Sequence, residues 1–106
     1  MSRIKELESM LEASPDDPFI IYALARENEK QSATLQALLM YEYLVNHHPD
    51  YIATYYHYSK LLYGAGNRIQ ALALLHQGIE WGMKEKDLHA VAEMKGLLAE
   101  WTEEED

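Results

Sequence analysis

Residues 17–49 read DPFIIYALARENEKQSATLQALLMYEYLVNHHP. Large apolar and small residues recur there at i, i+3 and i+4, first up to about Gln31 and again up to about His47, with a short polar turn between. That spacing predicts two amphipathic helices. The chain around this stretch copies it. Shifted by 34 residues without a gap, Pro15 falls on Pro49, Asp16 on Asp50, Ile21 on Tyr55, Leu24 on Tyr58, Ala25 on Ser59, Ala37 on Ala71 and Tyr41 on Leu75. The segment before the stretch copies its second half: Leu7, Met10, Leu11 and Pro15 stand 34 positions before Tyr41, Leu44, Val45 and Pro49.

A gapless 34-residue period with two helices per period resembles the tetratricopeptide repeat. The first copy carries Ile21, Leu24, Ala25, Asn28, Ala37, Tyr41 and Pro49; the second carries Tyr55, Tyr58, Ser59, Leu62, Ala71 and Leu75. The departures are Asn28 at an aromatic slot, Ser59 at the glycine slot and Met83 in place of the second proline. The resemblance covers nearly the whole chain. It implies an all-α solenoid in which small residues let paired helices approach and stacking buries the apolar faces that a single hairpin leaves bare.

The expected division is a single domain: an N-terminal capping helix over residues 2–14, one repeat over 18–49, a second over 50–83, a C-terminal capping helix over 87–102 and an acidic tail over 103–106. Ser2, Asp17, Ser32, Asp50, Asn67 and Asp87 are the expected helix N-caps, with Pro18 just inside the second helix, where its missing amide costs nothing. Leu7, Met10, Leu88, Val91 and Trp101 are expected to cover the ends of the stack. Gly96 costs its helix about 1 kcal/mol relative to alanine unless a neighbour packs closely against it.

Composition excludes several function classes. The formal net charge is −9, from 18 acidic and 9 basic residues, which opposes nucleic acid and anionic membrane surfaces. Absence of cysteine excludes a disulfide framework. The charged, amphipathic N-terminus is unlike a signal peptide, and no apolar run approaches the length of a membrane span, so a cytoplasmic protein is expected. The five histidines do not stand at metal-ligand spacing, and no nucleophile elbow or phosphate loop is present. The reading is a non-enzyme with no cofactor and no metal.

What remains is binding. Tyr41, Tyr55 and Tyr58 fall on core slots of the repeat. Tyr22, Tyr56 and Tyr63 do not; they lie on the first helices of the two repeats, on the face that the resemblance assigns to a concave groove. Tyr22 and Arg26 stand one period before Tyr56 and Lys60, and His57 and Tyr63 join the second pair. From Tyr51 to Ile79 there is no Asp or Glu. The expectation is a scaffold that holds a protein or peptide partner, acidic in character, on Tyr22, Arg26, Tyr56, His57, Lys60 and Tyr63. The carboxylate clamp of some family members is not carried over, because its Lys and Asn positions fall on Tyr22, Arg26 and His57. The alternative is self-assembly into a homodimer that buries the open ends of a short stack.

Overall fold

The computed structural model describes residues 2–103, and all its regular structure is helical. In chain order the helices are α1 (Arg3–Ala13), α2 (Pro18–Lys30), α3 (Thr34–His47), α4 (Ala53–Gly64), α5 (Arg68–Lys84) and α6 (Leu88–Glu103). They form two compact units, Met1–Tyr51 holding α1 to α3 and Ile52–Asp106 holding α4 to α6. In the first, α2 packs against both α1 and α3; in the second, α5 packs against both α4 and α6. Of the expected acidic tail, Glu103 closes α6, and residues 104–106 lie outside the described residues.

Three helix starts follow from a single side chain. The Ser2 hydroxyl accepts the Lys5 amide at 3.2 Å, the Asp17 carboxylate accepts the Phe19 amide at 3.0 Å, and the Asp87 carboxylate accepts the Ala90 amide at 3.2 Å. The other three expected caps are not caps. The helix expected from Asp50 begins at Ala53, with Ile52 at its N-cap position and no side-chain bond. The residue in register with Asp17 is Tyr51, which offers no acceptor of that reach. Asn67 also makes no capping bond.

Ser32 belongs to the end of α2 rather than to the start of α3. It has a φ of 60°, its amide donates to the Glu29 carbonyl at 3.0 Å, and the Ala33 amide donates to the Asn28 carbonyl at 2.8 Å. These are the two bonds of a Schellman cap. The same pair recurs one period later at Gly66 (φ 91°), with Asn67 donating to Leu62, and again at Lys86 (φ 59°), with Asp87 donating to Gly82. Ala33 has no side-chain acceptor and Asn67 makes no capping bond, whereas Asp87, at the same position of its turn, both closes α5 and caps α6. Only Gly66 is free of the Cβ penalty, about 1–2 kcal/mol, of the left-handed region. Ser32→Gly and Lys86→Gly are therefore each expected to raise stability by roughly 0.5–1 kcal/mol in urea melts, and Gly66→Ser to lower it by a similar amount.

In the first unit Leu7, Ile20 and Leu24 form a buried cluster, with Ile4, Leu11, Ala23 and Met40 packed against it. Met10, expected as cover, is 45% exposed. Tyr41, Leu44, Ala25 and Ala37 are wholly buried. Asn28, the polar residue at an aromatic slot, is buried but satisfied: its Nδ2 donates to the Leu24 carbonyl at 2.9 Å and lies 3.5 Å from Met40 Sδ. In the second unit Tyr55, Ser59, Ala71 and Leu75 are wholly buried, and the Ser59 hydroxyl donates to the Tyr56 carbonyl at 2.9 Å. α6 contributes Val91, Met94, Leu97 and Trp101. Leu88, expected to join them, is 68% exposed because it opens the helix before its buried face begins.

Ala71 has no room to grow, so Ala71→Leu should cost about 1–3 kcal/mol in an urea melt. Ala65→Leu, on an exposed turn, should cost less than about 0.5 kcal/mol. Equal costs at the two positions would contradict the packing register.

Candidate functional site

The six residues singled out as a binding strip divide between the two units, Tyr22 and Arg26 on α2, and Tyr56, His57, Lys60 and Tyr63 on α4. On α2 the strip is closely engaged with its own unit. The Tyr22 ring is half-buried and lies 5.6 Å from the Tyr51 ring at 52°, and burial pushes its hydroxyl pKa up. Arg26 Nη1 donates to Glu29 Oε2 at 3.0 Å. The same carboxylate oxygen accepts the hydroxyl of Tyr41, whose ring is wholly buried. Burial first, and Glu29 second, push the Tyr41 hydroxyl far above its ordinary pKa, so it stays a donor. The Arg26 charge is thus matched on its own helix, one turn away.

On α4 the cation has a different setting. Lys60 is exposed and its Nζ sits 5.2 Å from the centroid of the Tyr56 ring, a cation–π contact of about 0.5–1 kcal/mol at such a site. The Tyr56 ring meets the His57 ring edge-on at 5.2 Å and 81°. Tyr56, His57 and Lys60 therefore form one cluster on one face of a helix that carries no carboxylate. Tyr63, two turns beyond Tyr56 on α4, has a ring partner of its own. Its ring stacks on Trp101 of α6, 4.1 Å apart and 4° from parallel. Arg68 lies over the same tyrosine with Cζ at 5.9 Å and donates Nη2 to the Trp101 carbonyl at 3.1 Å.

Sequence reading did not anticipate a second cluster, in the first unit. The Asp16 Oδ1 accepts the Tyr43 hydroxyl at 2.6 Å and lies 3.0 Å from His48 Nε2. The Tyr43 hydrogen bond, then that of His48, holds the Asp16 carboxyl below the usual carboxylate range. Tyr43 also stacks on His47, 4.2 Å away at 28°. The i, i+4 spacing of Tyr43 and His47 was the available signal. Beside this cluster lies an apolar cleft of about 400 Å³, lined by Leu11, Pro15, Ile21, Gln36, Leu39, Met40 and Tyr43. Among the described residues no three His, Asp or Glu side chains gather to hold a metal ion, and no helix is long and apolar enough to cross a membrane.

No family model matches the chain, and no curated protein matches it. Solved structures do. A tetratricopeptide repeat domain protein of Salinibacter ruber, determined in solution by NMR, is 36% identical with a TM-score of 0.78, over 81% of this chain and 87% of that one. A crystal structure of a tetratricopeptide repeat domain protein from the same organism is 35% identical with a TM-score of 0.77, over 80% of this chain and 94% of the other. The solution structure of a Bordetella parapertussis protein shares the fold, with a TM-score of 0.82 at 21% identity, over 98% of this chain and 90% of that one.

Proposed function

Because the chain belongs to the tetratricopeptide repeat family, whose domains are generally protein-interaction modules, we propose that it is a non-catalytic scaffold that binds an acidic, extended peptide segment of a partner protein. The contact is made on the α4 face by Tyr56, His57 and Lys60, with Tyr63 at the far end of the face. Tyr22 and Arg26 offer a tyrosine–cation pair on α2 of the first unit, a weaker contact in itself because Glu29 already pairs with Arg26.

One observation carries this reading. Between Tyr51 and Ile79 the chain has no carboxylate, although it has 18 elsewhere, and an exposed lysine stands there over a tyrosine ring. A carboxylate approaching Lys60 meets no competing acid on the same helix. Tyr56 and His57 add a ring surface for an apolar neighbour and polar hydrogens for the peptide backbone.

The test is titration of the protein with a library of acidic peptides, comparing the unchanged chain with Lys60→Glu. Binding should weaken as salt rises from 50 to 500 mM, roughly the range over which exposed charges become screened. Lys60→Glu should weaken the acidic hits by about tenfold or more, through loss of one attraction and gain of one repulsion. Hits unaffected by the charge reversal would refute the α4 face as the site.

A further inference from the structure

We propose that the first unit carries a second docking site of opposite charge preference: the cleft between α1 and α3 receives an amphipathic helix of a partner protein, with bulky aliphatic side chains on one face and lysine or arginine beside them. The cleft is apolar on its floor and open, and exposed apolar surface of this kind marks interaction sites. Leu39 is 58% exposed at its edge, and Leu35, one turn earlier on α3, is 66% exposed. With Tyr43 they make a ridge at i, i+4 and i+8, about 12 Å long. A ridge of that length and spacing is what another helix packs against, its own side chains falling into the groove alongside. Leu11 and Met40 at the floor leave space for one or two aliphatic side chains.

Charge complementarity decides the occupant. The exposed charged residues next in sequence to the lining residues are acidic: Glu12 beside Leu11, Asp16 beside Pro15 and Glu42 beside Tyr43. Asp16 is fixed in position by Tyr43 and His48, and both bonds fall on Oδ1, leaving Oδ2 for an incoming cation. The basic residues of the unit are elsewhere. Arg26 and Lys30 are paired with Glu29 and Glu27 on α2, and Arg3 and Lys5 are at the opposite end of α1. A second copy of this chain, with its net charge of −9, would bring like charge to this rim. A basic amphipathic helix matches both the apolar floor and the acidic edge. This site is independent of the acidic-peptide site on α4.

The experiment uses the full chain and a fluorescent 18-residue helical peptide with leucine along one face and lysine flanking it, followed by anisotropy. The same peptide with glutamate in place of lysine is the comparison. The lysine peptide should bind and the glutamate peptide should bind about tenfold or more weakly at low salt. Leu39→Glu should reduce binding of the lysine peptide by about tenfold or more, since it removes apolar contact area. That loss cannot be a charge effect, because the substitution makes the protein more acidic. Asp16→Asn should weaken binding several-fold, and Lys60→Glu should leave it unchanged. Leu39 is exposed, so the variant folds; its circular dichroism melt verifies this. Equal binding of the two peptides, an unaffected Leu39→Glu variant, or sedimentation showing that Leu39→Glu dissolves a homodimer would each overturn the proposal.

Discussion

Deleting residues 87–106 is expected to unfold the second unit. The deletion removes α6, whose Val91, Met94, Leu97 and Trp101 are each at least nine-tenths buried. At about 1.5–3 kcal/mol per side chain, their burial is worth on the order of 10 kcal/mol. That is an upper figure, because the unfolded chain buries part of this surface too. It is nevertheless the size of the whole stability of an ordinary domain, about 5–15 kcal/mol. The loss also strips Tyr63 of its stacking partner and Arg68 of the Trp101 carbonyl. It opens the small-residue face of α5 at Gly78 and Gly82, which α6 fills. Size-exclusion chromatography and a urea melt followed by far-ultraviolet circular dichroism should show aggregation or a lost transition. An unchanged urea midpoint would mean that α6 does not dock as described.

Gly78→Ala is expected to be the most damaging single methyl group in the chain. A Cβ built at Gly78 would lie 2.5 Å from Tyr55 Cβ and 2.6 Å from Met94 Sδ. Neither atom can move far: Tyr55 is wholly buried and its Cβ is tied to the α4 backbone, and Met94 is 1% exposed. Alanine improves helix propensity by about 1 kcal/mol, so the clash must exceed that gain for the net effect to be a loss. Overlap of more than 1 Å against backbone-linked atoms does exceed it, and a net cost of about 2–3 kcal/mol is expected. In a chain of this size that lowers Tm by roughly 10 °C or more. Two other helical glycines calibrate the result. At Gly82 the new methyl would meet the tip of Val91 at 2.7 Å, and a smaller loss is expected. At Gly96 nothing lies within 4 Å, so Gly96→Ala should gain up to about 1 kcal/mol of helix propensity. If all three substitutions shift Tm alike, the packing of α5 against α4 and α6 is not as described.

These glycines mark the boundary between what was legible in the chain and what was not. One repeat earlier, the slot of Gly78 belongs to Leu44 and that of Gly82 to His48. The period alone gives no reason for a glycine there. The reason is that Tyr55 and Met94 fill the space a side chain at 78 would take, a fact about three helices meeting. Asp16 and Asp50 make the same point for polar groups. They stand in one register, yet Asp16 bonds Tyr43 and His48, while Asp50 caps nothing.

The number of helices, their small-residue contacts and the family resemblance are legible in the amino-acid sequence. Ala25, Ala37, Ser59 and Ala71 recur where backbones must approach, Tyr41 and Tyr55 recur on core slots, and all six are wholly buried. Such features are set by side chains three or four residues apart on one helix, so a periodic pattern carries them. The candidate binding face was legible in part. The acid-free stretch and the Tyr56–Lys60 pair are local, one turn apart on α4. Tertiary structure alone decided the rest: that Tyr63 stacks on Trp101, that Arg26 shares Glu29 with the buried Tyr41, and that Leu39 and Tyr43 edge an open cleft. Each of these joins residues at least a dozen positions apart, or depends on which helix covers which. Whether an exposed-looking side chain faces water or a neighbour is settled only when the helices pack.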